Sequence, residues 1–318
     1  MIADTPPLAL DTVVFARGLR LLGTGRGRPS FGPIDLDILP GEIFVIVGRA
    51  GSGKTALIES LVGLRPVSAE QLNVCGADPR TFAPAVKQRI GVAPSGTNVE
   101  RHFTVEEALD FFGALYERRL GTASLLDMMD LQPFRHRPAE TLPPAVAQRF
   151  SLALALVNDP VVLFADDPTR DLDPDSARRV WHLLRTRRDD GRTSVITTNH
   201  LEEAERLGDR IAVLDEGRLV DVDTPAGWLR RARAPVRVVF DLPRPEIDLD
   251  VLGQLDGAVG AAHRRGDTYA VSSNHGFATM RALIRLLDQH QATPRSLAMH
   301  HPSFEDVFFE LMAGARTP

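Results

Sequence analysis

Short apolar runs alternate with amphipathic stretches along most of this chain. EIFVIV (42–47) ends at Gly48 and predicts a buried strand feeding a loop. VVLFA (161–165), SVITT (194–198) and IAVL (211–214) predict three more strands. Helical spacing is legible in Thr55–Val62, where Ala56, Ile58, Leu61 and Val62 offer an apolar face. It recurs in SARRVWHLLRTRR (176–188) and LEEAERLG (201–208). Strands alternating with helices predict the α/β class, a mostly parallel sheet with helices on its faces. Residues 104–157 carry helical patterns and almost no strand pattern, which predicts an inserted helical subdomain over about 96–158. AGWLRRARAP (226–235) is basic and ends in proline, so one domain is expected over 1–230 and a second over 236–318.

The second domain has its own rhythm and is expected to be a small α+β unit. VRVVFDL, TYAVSS and SLAMHH read as strands, and the segments LDVLGQL and FATMRALIRLLDQH as helices. That order fits a ferredoxin-like pattern. A last helix opens at Ser303, with Asp306 three residues on to complete a cap. Phe304, Val307, Phe308 and Leu311 form an apolar stripe, expected to pack onto the small sheet.

Composition narrows the class. The chain has 318 residues, 43% of them apolar and 25% charged, which excludes a disordered, collagen-like or disulfide-stapled protein. The lone Cys75 has no internal partner, so a reducing, cytosolic setting is expected. No apolar run approaches the roughly 18 residues of a membrane helix, and the N-terminus lacks the basic start of a signal peptide. The net charge of −5 gives no reason to expect nucleic acid. Only Lys54 and Lys87 are lysines among 37 basic residues, so each lysine invites a specific explanation.

Lys54 has one. Gly48-Arg49-Ala50-Gly51-Ser52-Gly53-Lys54-Thr55 fits the phosphate-cradling pattern G-x-x-x-x-G-K-[ST]. Its glycines let backbone N–H groups turn inward on a phosphate, and the helix start adds its positive dipole end. Lys54 would reach the β and γ phosphates of ATP, and Thr55 would offer its hydroxyl to Mg²⁺. The pattern lies between an expected strand and an expected helix, the context it requires. Such a loop needs a further carboxylate for the metal. Asp166 stands at the end of VVLFA, and Asp167 follows, able to orient or deprotonate a water.

In order and spacing, residues 12–230 resemble an ABC transporter ATP-binding subunit. The resemblance rests on GRAGSGKT, VVLFADDPTRDLDP and TTNHLEEAERLGDRIAVLDEGRLV. Asp171, Leu172 and Asp173 resemble the family's D-loop. PSFEDVFFELMAG (302–314) resembles the closing motif of the daunorubicin-resistance type of drug-exporter ATPase. The resemblance implies a P-loop NTPase core and a peripheral subunit on the cytoplasmic face of a membrane. Its implied partners are a multi-helix membrane permease and a second ATPase chain, which closes head-to-tail over two ATPs.

Four positions depart from the family pattern. The signature loop reads Leu142-Pro143-Pro144-Ala145-Val146, and its prolines have no N–H to offer a phosphate; they suit a helix start instead. Asp167 replaces the catalytic glutamate, a retraction of about 1.5 Å. A misplacement of about 1 Å can cost about 10²-fold in rate. Asn199 occupies the switch-histidine position, with His200 one place later and able to reach in by a one-residue slip. Ser95, after RIGVAP (89–94), holds the Q-loop position and is too short to bridge the metal without a water. The aromatic expected near 20–24 to stack on adenine is absent from RLLGT; Phe15 and Phe31 fall out of register. These features predict Mg-ATP binding with weak ATPase activity, and a heterodimer in preference to a homodimer. The alternatives are a non-hydrolysing regulatory subunit and a soluble ABC protein with no permease.

Overall fold

Eight-residue strands β1 (Val14–Leu21) and β2 (Phe31–Ile38) pair antiparallel. Hydrophobic patterning does not single out β1, because Arg17, Gly18 and Arg20 interrupt it, and its register shifts twice against β2. Gly18, at φ +59°, sits at one of these irregularities. The chain then runs through β3 (Ile43–Val47), α1 (Lys54–Leu61), β4 (Val67–Ser68), β5 (Gln71–Val74), α2 (Pro84–Arg89) and β6 (Ile90–Ala93). Next come α3 (Val105–Gly113), α4 (Thr122–Met128) and α5 (Pro144–Ala155), followed by β7 (Val162–Asp166), α6 (Pro174–Asp189) and β8 (Thr193–Thr198). The last elements here are α7 (Leu201–Leu207), β9 (Arg210–Asp215), β10 (Arg218–Asp223) and α8 (Pro225–Arg231). This computed structural model describes residues 12–21, 31–81, 84–96, 103–231, 235–244 and 246–314. It separates into two compact units, Met1–Pro225 and Ala226–Pro318.

The first unit is built on a six-stranded sheet of order β10-β9-β3-β8-β7-β6. Five strands are parallel, and β10 adds an antiparallel edge. Every residue of β3, β7 and β8 is buried, as a doubly covered sheet requires. A smaller antiparallel sheet, with β1 paired to β2, β4 and β5, shares one core with it through Ile34, Leu36, Phe44, Leu57 and Leu61. In α1 it is Leu57, Ile58 and Leu61 that are buried; Ala56 and Val62 are half-buried. Between β6 and β7 the described residues form helices and short helical turns without a strand ladder. Thr104 and Glu107 close a reciprocal capping box on α3.

The second unit runs β11 (Val236–Asp241), α9 (Leu249–Gly253), β12 (His263–Arg265), β13 (Thr268–Ser273), α10 (Gly276–Gln289), β14 (Ser296–His300), α11 (Phe304–Gly314). Its sheet order is β12-β13-β11-β14, all antiparallel, which is the βαββαβ ferredoxin-like topology. Phe240 and Tyr269 stack at 5.0 Å over its core. Ser303 Oγ accepts the Asp306 N–H at 3.3 Å, and Asp306 Oδ2 accepts the Ser303 N–H at 2.9 Å, capping α11. The α11 stripe is buried at Phe304, Val307 and Phe308, with the Phe304 ring against Trp228 at 6.1 Å.

Close approach of backbone sets one sharp constraint. A Cβ on Gly91 of β6 would stand 1.9 Å from the Ala155 carbonyl oxygen at the end of α5. Gly91→Ala is therefore expected to destabilise the first unit by about 1–3 kcal/mol. Urea unfolding should show a lower midpoint with an unchanged slope.

Candidate phosphate-binding site

Residues 48–53 carry the chain from the end of β3 to the start of α1, and two glycines make the turn possible. A Cβ on Gly48 would meet the Leu214 carbonyl oxygen at 2.2 Å and Ser52 Oγ at 2.5 Å. Gly53, the N-cap of α1, has φ 105°, and a Cβ there would meet the Phe31 ring at 2.7 Å. Phe31 is thus buried against the loop, which explains its unsuitability for stacking on a base. Leu22, Gly23 and Thr24 of the expected base-stacking stretch lie outside the described residues. Phe15 carries the Arg17 guanidinium 4.1 Å above its ring. A backbone relay braces the loop: Gly32 N–H donates to the Gly217 carbonyl, and Gly217 N–H to the Ser52 carbonyl, both at 2.8 Å.

The Lys54 ammonium is folded under this turn. Its Nζ donates to the Gly48 carbonyl at 2.7 Å, the Arg49 carbonyl at 3.1 Å and Asn199 Oδ1 at 2.8 Å. Burial lowers its pKa, and the Asp166 and Asp167 carboxylates act against that shift. Asp166, buried at the end of β7, accepts Thr55 Oγ1–H at 2.6 Å on one oxygen and a close Thr197 hydroxyl on the other. Thr197 Oγ1 also accepts the Asp167 N–H at 3.0 Å, so one hydroxyl aligns both aspartates. Asp167 adopts a left-handed conformation at φ 53°. Gln148 of α5 donates to its carbonyl at 3.2 Å. Its buried Oδ1 has no hydrogen-bond partner. Burial pushes the Asp167 carboxyl up, and the nearby Arg170 guanidinium pulls it back.

These groups surround a cavity of about 320 Å³. Its walls bring together Ala50, Gly51, Gly53, Lys54 and Thr55 from the loop with Ser95, Asp166, Asp167 and Asn199 from the sheet ends. Gly48, Arg49 and Ser52 act from behind, through their backbones and the tight packing of Gly48. The expectation that His200 reaches the cavity is corrected. His200 is exposed at the start of α7, its N–H donating to Thr198 Oγ1 at 3.0 Å, and it does not line the walls. Leu142–Val146 also lie outside the cavity; Pro144 is the first residue of α5, and Pro143 and Pro144 are exposed. Asp171 is exposed at φ 63°, and the Leu172 N–H closes a turn on the Thr169 carbonyl. Asp173 caps α6, accepting the N–H groups of Asp175 and Ser176 at 3.0 Å.

Sequence reasoning missed Thr197, Glu203, Arg65 and Arg170. Arg65 and Arg170 line the cavity. Buried Glu203 accepts from Thr169 at 2.7 Å, Trp181 at 2.8 Å and Thr198 at 2.6 Å, locking the loops after β7 and β8 together. The second glutamate of LEEAE is the signal that could have found it, since it falls in the first turn of a helix beside the site. Among the described residues no group of three or more His, Cys, Asp or Glu could hold a metal ion. Thr55 Oγ1 and Asp166 Oδ2 nevertheless form a hard-oxygen pair suited to Mg²⁺, which completes its shell with phosphate oxygens and water.

The parallel sheet, the glycine turn at the end of β3 and the carboxylates at the end of β7 define a P-loop NTPase fold. A solved ATP-binding subunit of an ABC transporter matches with TM-score 0.61 at 19% identity, covering 69% of this chain and 93% of that one. A dimeric bacterial ABC transporter cassette matches with TM-score 0.61 at 21% identity, covering 66% of this chain and 98% of that one. The ABC transporter family profile matches residues 31–170. Nod factor export ATP-binding protein I of Cupriavidus pinatubonensis is 30% identical over 290 residues, 87% of this chain and 84% of that protein. The chain belongs to the ABC transporter family. The retinal-specific phospholipid-transporting ATPase of Homo sapiens is 34% identical over 204 residues, 63% of this chain. The match spans 9% of that much longer protein.

The cap on α6 yields a pH prediction. Hydrogen bonds from Ser176 lower the Asp173 pKa from 3.8 to about 2. A depressed carboxylate contributes stability that is complete above its unfolded pKa and is lost as pH falls through the folded value. The melting-temperature gap between parent and Asp173→Ala should therefore be constant at neutral pH and close between about pH 4 and pH 2. A gap that persists at pH 2 would contradict the cap.

Proposed function

We propose that this chain is the ATP-binding subunit of an exporter, binding Mg-ATP in the cavity under Gly48–Thr55 and driving or gating a membrane permease. The observation that carries the reading is the convergence of Lys54, Thr55, Asp166 and Asn199 on one cavity. Lys54 and the amides of the turn bind the β and γ phosphates, and Asn199 supplies a neutral hydrogen-bonding contact beside Lys54. Thr55 and Asp166 hold Mg²⁺, which neutralises phosphate charge when bound. Asp167 orients the attacking water and accepts its proton on the unpartnered Oδ1. Its short reach makes hydrolysis slow, and the prolines at 143 and 144 give the facing site of a second chain few donors. These defects favour a heterodimer with a more conventional ATPase chain.

Relatives named for Nod factor export support the export direction; the drug-exporter subtype rests on PSFEDVFFELMAG alone. For the permease, an apolar groove of about 430 Å³ runs between Val62–Leu64, Ile90–Val92 and Phe112 and Tyr116 of the helical segment. Leu64 at its rim is 65% exposed. The place of the chain as a peripheral subunit at the cytoplasmic face follows from the family resemblance; no helix among the described residues is long and apolar enough to cross a membrane. The ferredoxin-like unit would stabilise the dimer.

A regulatory, non-hydrolysing subunit is the second reading, favoured by the neutral Asn199 at the switch position. Steady-state ATPase assays with the permease separate the two. Asp167→Asn should fall to background with ATP binding retained, and Asp167→Glu should exceed the parent by up to about 10²-fold. A parent no faster than Asp167→Asn supports the regulatory reading.

A further inference from the structure

The cavity walls carry a cation that the family resemblance does not assign. Three cationic side chains line the cavity, Lys54, Arg65 and Arg170, against the two carboxylates Asp166 and Asp167. Lys54 is engaged by three oxygens, and Arg65 is drawn into a close ion pair with Glu59. Arg170 has no close carboxylate partner. Its Nη2 donates to the uncharged Ser95 carbonyl, and its Nε stands 4.0 Å from Asp167 Oδ2, the outer limit of an ion pair. Such a guanidinium has capacity left for an incoming anion.

The backbone beneath it is fixed. Arg170 N–H donates to the Asp167 carbonyl at 3.1 Å, and Leu172 N–H to the Thr169 carbonyl at 3.2 Å. Thr169 Oγ1 is anchored on buried Glu203 at 2.7 Å, and Asp173 caps the helix that follows. Arg170 therefore projects from a braced turn into the cavity that Lys54 and Asp167 also line. Mg-ATP brings net negative charge into a space where Lys54 is balanced by carboxylates and Asn199 is neutral. Geometry and charge then call for one more donor at the far end of the triphosphate.

We propose that Arg170 contacts the terminal phosphate of bound ATP in cis, supplying the positive charge that Asn199 at the switch position lacks. This rests on the reading of the cavity as an Mg-ATP site. As the phosphate takes the guanidinium, Arg170 leaves Asp167, and that carboxylate is freed to hold the attacking water. The Ser95 carbonyl keeps the arginine aimed, so the Q-loop position contributes through its backbone rather than its side chain.

Calorimetric titration of the full chain with Mg²⁺ plus the β,γ-imido analogue of ATP, and separately with Mg-ADP, tests this. Arg170→Ala should weaken the triphosphate by about tenfold to a hundredfold and leave ADP within about twofold. Arg170→Lys should keep part of the triphosphate preference, since charge remains and the fork is lost. Turnover with the permease should fall toward the roughly 10³-fold loss typical of a removed arginine finger. Equal loss for both nucleotides, or no loss for either, overturns the assignment while the site reading stands. A parent that binds neither nucleotide, or a Lys54→Ala chain that binds as the parent does, overturns the site reading and this assignment with it.

Discussion

A buried ammonium beneath a turn of backbone is the constraint from which the rest follows. Moving Lys54 out of water is unfavourable unless its three N–H bonds are met. The two carbonyls at positions 48 and 49 and the Asn199 amide oxygen meet them. That requires the chain to double back tightly, which fixes glycine at positions 48 and 53. It also requires the strands bearing Asp166 and Asn199 to end at the same level as β3, which only a parallel sheet with β8 between β3 and β7 provides. The relay through Gly32 and Gly217 and the ring of Phe31 brace the turn from its other side.

The same economy explains the aspartate pair. Thr197 serves both residues through one hydroxyl, and Glu203 ties the two loops that carry Asp167 and Asn199. A buried carboxylate with three donors is a rigid joint, since loss of any partner would leave a polar group unsatisfied in the interior. The loop motion available here is accordingly small. The cationic side chains that line the cavity are Lys54, Arg65 and Arg170.

Much of this was legible in the sequence. Continuous apolar runs marked β3, β7 and β9, because strands covered on both faces carry no polar alternation, and β-branched residues marked β8. The glycine-lysine motif marked the turn because few residues tolerate its backbone. Three of the second unit's strands and its helices were readable, whereas the three-residue β12, all of it polar and exposed, left no pattern. Strand β1 was not legible, because Arg17, Gly18 and Arg20 break its alternation; β2 does alternate from Ile34 to Ile38, and that signal went unread. Asp171–Asp173 resembled the D-loop in sequence, and within the chain Asp173 caps α6. Arg170 and Thr197 were invisible for a different reason: their importance lies in what folding brings beside them, which spacing along the chain does not encode. His200 illustrates the converse, since one residue of slip in a helix start moves a side chain from cavity to solvent.

The most direct measurement is the heat released when Mg-ATP is titrated into the folded parent chain and into Lys54→Ala, with circular dichroism confirming that both are folded. The account predicts a saturable one-site signal for the parent and its loss in the variant. Equal heats from the two proteins, or none from a folded parent, would contradict it.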